Sequence, residues 1–339
     1  MAFTQLARCD QLLAEGRPIE AIDVLTEANR LERDTEIERR LVGLRHEAFA
    51  HIDRSSSPAW PVVAPGNELT AAGPPVISPH ELTAETLSTG ILRHGCLHIR
   101  GLVPEPQVDR LVDGIDHAFA AFDAHAAGAP VGETTPWFEP FEPGPDYRFK
   151  LKIKRQWVRK GGGVWTADSP RVMFDLFDIM EMTGLTTVIT EYLGERPALS
   201  VDKSTLRRVG ELTGTDWHQD GAFLGEGIRT VNVWLSLSHC GRDAPGLDIV
   251  PKRLDRVLET GTESAIFPWA VAPEVVQRAA SETGVVRPVF EPGDVLLFDD
   301  LFLHRTAYDA TMTRERYAVE NWFFAPSVYP DTGQIPLAF

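Results

Sequence analysis

The sequence predicts a mostly β fold with flanking helices: a double-stranded β-helix (jelly roll, cupin-like) core preceded by an N-terminal α-helical hairpin. From about residue 148 onward, short segments rich in β-branched and aromatic residues alternate with glycine and proline turns. Many short strands of this kind favour a sandwich or jelly roll over a doubly wound sheet, and no GxGxxG or GxxxxGK[ST] motif is present. The predicted strands are 148–158, 198–209, 229–237, 246–250, 285–290, 294–298 and 316–324.

The N-terminal region has the period of amphipathic helices. Apolar residues recur there at three- and four-residue intervals, and Gly16-Arg17-Pro18 marks a break, since glycine suits the end of a helix and proline its first turn. Residues 1–54 are therefore predicted to form a helical hairpin, which we expect to dock on the main domain or to support a homo-oligomer. The prolines of residues 55–80 predict a linker, because each removes an amide donor and restricts the residue before it.

Residues 81–339 are predicted to form the main domain. It opens with a helix near 81–93, a short apolar strand at 96–99 and a second helix near 105–122. The strand-rich remainder follows these elements.

Composition excludes several classes of function. The 339 residues include 33 Lys and Arg against 49 Asp and Glu, a net charge of −16, so nucleic acid is not an expected partner. No apolar run approaches the roughly 20 residues that span a bilayer, and the N-terminus does not resemble a signal peptide. We therefore expect a cytoplasmic protein without a membrane partner. Its three cysteines lie far apart and are expected to be reduced.

Three residues have the types and spacing of a metal site. His218 and Asp220 lie two apart in a segment predicted to be extended, so their side chains project to the same side, and His304 follows a later apolar strand. Two histidines and one carboxylate form the non-haem Fe(II) triad, which leaves positions open for other ligands. The alternative is that the two histidines are separate polar residues at strand ends. The triplet His51-Ile52-Asp53 has the same spelling but ends a helix, where alternate residues do not share a face.

An arginine downstream adds a second feature. Arg316 begins a strand-like segment that we expect to pair near the His304 strand, and an inward guanidinium there would hold a carboxylate through two hydrogen bonds. Thr306 is placed to add a hydroxyl to the same carboxylate. A metal with open positions beside such a clamp is what 2-oxoglutarate requires. Arg314 would project to the same side as Arg316 and is the alternative carboxylate clamp. The other possibility is that the arginine here forms only an ion pair on the surface.

Four ordered motifs carry a family resemblance: Trp217-His218-Gln219-Asp220, Ala244–Pro251, Pro292–Phe298 leading to His304, and Arg316–Val319. With them, roughly residues 82–326 resemble the phytanoyl-CoA dioxygenase family of Fe(II)/2-oxoglutarate oxygenases.

The resemblance implies roles for individual residues. The catalytic iron ligands that it implies are His218, Asp220 and His304. Arg316 and Thr306 would hold the distal carboxylate of 2-oxoglutarate, and Trp234 matches a tryptophan beside the cosubstrate, although an inward tryptophan on a strand is often plain core. The family's Pro-Gly-Ser-His is here Pro251-Lys252-Arg253-Leu254, so the substrate is not inherited.

The implied activity uses Fe(II), 2-oxoglutarate and O2 to oxidise a C–H bond of a small molecule, with succinate and CO2 as co-products, in specialised metabolism or catabolism. Because related halogenases lack the carboxylate found here at Asp220, hydroxylation or another C–H oxidation is favoured over halogenation. Two alternatives remain: a non-oxidative cupin-like metalloenzyme with Zn or Mn, and a catalytically inactive barrel that serves in assembly or binding through its hairpin.

Basic residues are concentrated in 148–160, which contains no acid. Lysines alternate there with apolar residues, so the segment is predicted as a strand with one basic face. Such a strand is either a solvated edge, protected by its lysines against pairing, or a docking face for an anionic substrate. In the second case Lys152, Lys154 and Trp157 are the candidate substrate residues.

Overall fold

The computed structural model describes residues 2–67, 69, 73–144, 148–210, 216–262, 264–330 and 333–339. It combines a sheet-rich core with flanking helices, which account for 42% of the residues and so exceed what a mostly β class implies. The helices are α1 Ala2–Ala14, α2 Pro18–Leu31, α3 Thr35–Phe49, α4 Ala84–Thr89, α5 Glu105–Ala126, α6 Val131–Thr134, α7 Arg148–Lys160, α8 Pro170–Met182, α9 Leu185–Leu193, α10 Gly221–Leu224 and α11 Pro273–Ala279. The strands are β1 Val76–Ile77, β2 Cys96–Ile99, β3 Gly163–Trp165, β4 Ala198–Ser200, β5 Thr205–Val209, β6 Thr230–Ser236, β7 Gly246–Ile249, β8 Val295–Phe298, β9 His304–Ala307, β10 Arg316–Phe324 and β11 Pro336–Ala338.

The strands form two sheets. The larger has the order β1-β2-β8-β6-β10-β4-β11, with β5 also paired to β10 and β3 paired to β5, whereas β7 and β9 form an antiparallel pair of their own. Strands β2, β6, β7, β8 and β10 confirm predicted segments. The segment 285–290 makes only isolated bridges, at Val286 and Phe290. The expected pairing of the Arg316 strand near His304 is wrong, because β10 pairs with β4, β5 and β6.

The N-terminal region forms three helices where a hairpin was predicted. The break at Gly16–Pro18 is present, and a second lies before α3, where the Asp34 side chain accepts hydrogen bonds from the amides of Glu36 and Ile37. This capping stabilises a new helix start, which the apolar period alone does not reveal. The helix α3 is tied to β11 by hydrogen bonds from Arg45 to the Ala338 carbonyl and between His46 and the Pro336 carbonyl.

The basic segment is the helix α7, so its prediction as a strand is wrong. Leu151 and Arg155, four residues apart, are buried, and the Arg155 guanidinium forms a 2.7 Å ion pair with Asp168. Residues four apart share one face of a helix, whereas Ile153, which a strand would bury with Leu151, is 45% exposed. The alternation of basic and apolar residues was too short to distinguish the two-residue period of a strand from the 3.6-residue period of a helix.

Two simpler expectations concern membranes and cysteines. Within the described residues, no helix combines the length and the apolar character needed to cross a membrane. Cys9, Cys96 and Cys240 are each buried and unpaired, as expected for reduced thiols.

Candidate metal centre

The two histidines of the predicted triad face each other as a backbone pair. The amide of His218 donates to the carbonyl of His304 (3.0 Å), and the amide of His304 donates to the carbonyl of His218 (3.1 Å). His304 also pairs with Ile249 of β7, so this antiparallel bridge places His218 on the other side of β9, and the two ring centroids lie 4.4 Å apart. A single pair of backbone hydrogen bonds therefore brings together two histidines that are far apart in the sequence.

Each imidazole is oriented by a carbonyl two residues earlier. Nδ1 of His218 lies 2.8 Å from the Asp216 carbonyl oxygen, and Nδ1 of His304 lies 3.0 Å from the Phe302 carbonyl oxygen. A carbonyl can only accept, so both Nδ1 atoms carry the proton, and both Nε2 atoms keep a lone pair for a metal. The same local geometry thus orients both rings for metal binding through Nε2.

Asp220 is positioned by the residues on either side of it. The buried Gln219 points away from the site and donates to the carbonyls of Leu301 (2.6 Å) and Arg256 (3.1 Å). Its neighbours His218 and Asp220 therefore project to the opposite side. A Cβ on Gly221 would lie 2.9 Å from a methyl group of Val257, so only glycine fits directly after the carboxylate.

The ligand atoms of His218, Asp220 and His304 all lie within 4.8 Å of one another. Among the described residues, they form the one group of three such side chains that could hold a metal ion. Burial, together with His218, lowers the pKa of His304 to about 4, so this imidazole is neutral at physiological pH, as a ligand must be. His51 and Asp53, which share the triplet spelling, are exposed beyond the end of α3.

The three side chains open into a cavity of about 280 Å³ between the two sheets. Alternate residues of several strands line it, as the two-residue period of a strand requires. The lining residues on strands are Thr205, Arg207, Val209, Asn232, Trp234, Leu247, Phe298, His304, Thr306, Arg316, Glu320 and Trp322.

Arg316, Thr306 and Trp234, the residues predicted to hold or flank the cosubstrate, all line this cavity. The guanidinium of Arg316 is buried, donates to the Gly246 carbonyl (3.1 Å) and lies 5.8 Å from the centre of the Trp234 ring. The side chain of Arg314 is 69% exposed and pairs with Asp243 on the surface. Of the two arginines considered as the carboxylate clamp, Arg316 lines the cavity and Arg314 does not.

Among the cavity residues that the sequence analysis did not identify are Lys203, Arg207, Phe223 and Glu320. Arg207 donates to the Glu320 carboxylate (2.9 Å). Burial alone would raise the pKa of Glu320, but Arg207 and Arg316 together lower that pKa to about 2. Burial lowers the pKa of Lys203, while Asp220 and Asp202 act against that change. The alternation along β5 and β10 was the available signal for Arg207 and Glu320, whereas no motif surrounds Lys203.

The three candidate substrate residues lie outside this cavity lining. Lys152, Lys154 and Trp157 are exposed on α7, and Lys154 pairs with Asp202 (3.2 Å). Val158 from the same helix and Gly161 just after it do line the cavity. The helix therefore borders the site through residues other than those the sequence suggested.

Comparisons with solved structures give the fold. The crystal structure of EctD from S. alaskensis with 2-oxoglutarate and 5-hydroxyectoine matches with a TM-score of 0.51 at 17% identity, covering 81% of this chain and 84% of that one. AviO1 from Streptomyces viridochromogenes Tue57 matches with a TM-score of 0.44 at 15% identity, covering 71% and 94% of the two chains. The epimerase SnoN, in complex with Fe3+, alpha ketoglutarate and nogalamycin RO, matches with a TM-score of 0.44 at 15% identity, covering 74% and 87%.

Comparison with families and curated proteins completes the assignment. No curated protein matches the sequence. The family model described as phytanoyl-CoA dioxygenase (PhyH) matches residues 91–314, which is well over half of the chain and contains His218, Asp220 and His304. The resemblance that the four motifs indicated is confirmed. The chain belongs to the phytanoyl-CoA dioxygenase (PhyH) family.

Proposed function

We propose that this protein is a non-haem Fe(II)- and 2-oxoglutarate-dependent dioxygenase that hydroxylates a C–H bond of a small, anionic molecule. One observation carries the proposal: a His-Asp-His cluster and a buried arginine line the same cavity. Membership of the PhyH family and the fold shared with EctD, a protein crystallised with 2-oxoglutarate, support it. As part of the proposal, the two sheets around the cavity are the halves of a double-stranded β-helix.

The side chains present suit the two groups that the proposal requires. Two imidazoles whose Nε2 atoms keep a lone pair and one carboxylate are a donor set that Fe(II) accepts, with coordination positions left open. Arg316 and Trp234 line the same cavity, and Nε of Arg316 and Nε1 of Trp234 are buried without a hydrogen-bond partner among the described residues. Buried donors of this kind need an acceptor, and a carboxylate provides one.

We assign the roles as follows. His218, Asp220 and His304 would hold Fe(II), and Arg316 with Thr306 would hold the distal carboxylate of 2-oxoglutarate. When bound, iron, 2-oxoglutarate and O2 supply the oxidising power, with succinate and CO2 as co-products.

The chain itself contributes orientation and a dry site. The carbonyls of Asp216 and Phe302 keep both histidine rings in the ligating tautomer. Arg316 fixes the direction of the cosubstrate through its planar fork. The apolar side chains of Phe298, Trp322 and Leu247 line the same cavity and would shield the reacting groups from water.

An anaerobic absorption titration tests the proposal. Fe(II) is added to the metal-free protein, followed by 2-oxoglutarate or, as a control cosubstrate, succinate. We expect a visible charge-transfer band with 2-oxoglutarate alone, because only a keto acid chelates iron through its keto and carboxylate oxygens. His218→Ala should remove the band.

The second His-x-Asp triplet offers a matched control. His51→Ala removes an exposed imidazole of the same spelling and should leave the band unchanged. If folded wild-type protein binds metal but develops no band, the proposal is wrong and a non-oxidative Zn or Mn enzyme becomes the better explanation.

A further inference from the structure

The cavity contains charged side chains whose partners can be assigned in turn. Arg207 pairs with Glu320 (2.9 Å), and Asp202 pairs with Lys154 (3.2 Å). Under the proposed function, Asp220 faces the metal and Arg316 faces the cosubstrate. One charged side chain of the described lining is left over, and it is Lys203.

Lys203 lies at the end of a 3-10 turn, Val201–Lys203, which joins β4 to β5 and directs the side chain into the cavity. Its ammonium lies 3.7 Å from the centre of the Phe223 ring, a cation–π contact. Among the described residues, the ammonium of Lys203 has no hydrogen-bond partner and no ion-pair partner. Three acidic side chains act on this charge, but each has another role: Asp202 pairs with Lys154, Glu320 pairs with Arg207, and the proposed function gives Asp220 to the metal. The charge of Lys203 is therefore incompletely compensated.

The charges in a site that holds iron and 2-oxoglutarate also leave Lys203 without a partner. In the loaded site, the two positive charges of Fe(II) and the one of Arg316 would be matched by Asp220 and by the two carboxylates of 2-oxoglutarate. The ammonium of Lys203 then stands as one unmatched positive charge beside a neutral centre. A single charge calls for a monoanion, which a carboxylate provides and a phosphate dianion exceeds.

Resting on the proposed function, we propose that Lys203 binds a carboxylate of the substrate and thereby selects small carboxylic acids. Phe223 supports this placement, because its ring contacts the ammonium and also lies 6.3 Å, centre to centre, from the ring of His218. A carboxylate on Lys203 therefore anchors a molecule whose carbon chain continues past Phe223 toward the metal ligands.

The surroundings of Phe223 are suited to the apolar part of such an acid. Trp269 lies edge-on to both Phe223 (6.4 Å) and His218 (5.6 Å), and Phe267 stacks parallel to Trp269 at 5.1 Å. Phe267 and the neighbouring Ile266 are 47% and 75% exposed. Apolar surface of this kind next to the ammonium of Lys203 matches a carboxylic acid with a hydrophobic body.

The test compares acids with their neutral amides. Anaerobic protein loaded with Fe(II) and 2-oxoglutarate is titrated calorimetrically with phenylacetate against phenylacetamide, and with octanoate against octanamide. In at least one pair, the wild type should bind the acid about tenfold or more tightly than the amide, because a charge-assisted hydrogen bond is lost with the amide. Lys203→Met should bring that ratio close to one, and Lys203→Arg should restore part of it.

Lys252→Met is the matched control, since Lys252 is a lysine paired with Glu282 on the surface, and it should keep the wild-type ratio. The charge-transfer band of the cosubstrate should survive Lys203→Met, which separates this proposal from the previous one. Absence of the band in the wild type would refute the proposed function. A normal band with no preference for either acid, or with a preference that Lys203→Met leaves intact, would overturn the role of Lys203 alone. Loss of the band in Lys203→Met would assign Lys203 to the cosubstrate and would equally overturn it.

Discussion

At the scale of single residues, Arg316 gives the sharpest test of the cosubstrate site. We expect Arg316→Met to raise KM for 2-oxoglutarate on the order of 10- to 100-fold, because a hydrogen bond to a charged group contributes about 1.5–3 kcal/mol. The KM of Arg316→Lys should lie between those of the wild type and Arg316→Met, since lysine keeps the charge but loses the planar guanidinium. Steady-state succinate formation at varied 2-oxoglutarate concentration measures the effect.

Arg314→Met is the natural companion, because it removes the neighbouring arginine from the surface. Its KM should equal that of the wild type. A larger effect from Arg314→Met than from Arg316→Met would place the cosubstrate elsewhere.

The residue scale also shows how far a sequence can locate a site. The grouping of His218, Asp220 and His304 was predictable from their residue types, from the two-residue spacing of the first two and from the position of His304 after an apolar strand. Lys203 was not predictable, because a lone lysine carries no motif and only a short turn directs it into the cavity. Its position depends on the path of the chain between two strands, which local patterns do not encode.

At the scale of elements, the Pro292-Gly293-Asp294 motif has a structural function. The Asp294 carboxylate accepts hydrogen bonds from the amides of Gly101 (2.9 Å) and Glu291 (2.9 Å), and it lies 3.2 Å from Nε2 of the buried His98. It therefore ties the end of β2 to the start of β8, the strand that leads into the His304 region. Gly293 has a φ of 89°, and a Cβ there would lie 2.2 Å from the Val103 carbonyl oxygen.

We predict that Asp294→Asn destabilises the protein by about 3 kcal/mol, because the amide loses charge-assisted bonds in a buried site. Burial alone would raise the pKa of Asp294, but the His98 hydrogen bond and the two amides keep that pKa lowered. The stabilisation is therefore complete at neutral pH and is lost as the pH falls below the ordinary aspartate pKa of about 3.9. Urea unfolding at pH 7 and in acid measures both effects.

Asp109→Asn, on the exposed face of α5, serves as the reference and should change stability by less than about 0.5 kcal/mol. An equal loss of stability in both variants, or a penalty for Asp294→Asn that grows in acid, would contradict this account.

The helix α7 shows why elements are harder to predict than motifs. Its lysines and arginines are good helix formers, yet three alternating apolar residues were enough to suggest a strand. The deciding contact is the buried pair between Arg155 and Asp168, two residues on different elements. The long strands β6 and β10 were predictable because their apolar and β-branched residues run over seven and nine positions.

At the scale of the whole molecule, the N-terminal helices share a core with the rest of the chain. Buried apolar residues of α2 and α3, such as Ile22 and Leu44, belong to the same cluster as Phe174 of α8 and Leu337 of β11. The buried Glu38 of α3 also pairs with Arg171 of α8 (2.6 Å). The sequence predicted that this region docks on the main domain or on a partner subunit, but not which residues cover its apolar face, because those residues lie far along the chain. Homo-oligomerisation through this region stays a prediction.

This shared core makes cooperative unfolding the expected behaviour. We predict that Leu44→Ala lowers the free energy of unfolding by about 2–5 kcal/mol, the usual cost of removing a buried leucine side chain, and shifts a single transition of the whole chain. Calorimetry and circular dichroism of the same samples would measure it. Leu31→Ala, at a leucine of α2 that is 72% exposed, should leave the transition in place. Two separate transitions, of which Leu44→Ala moved only the first, would instead mean that the N-terminal helices fold as an independent unit.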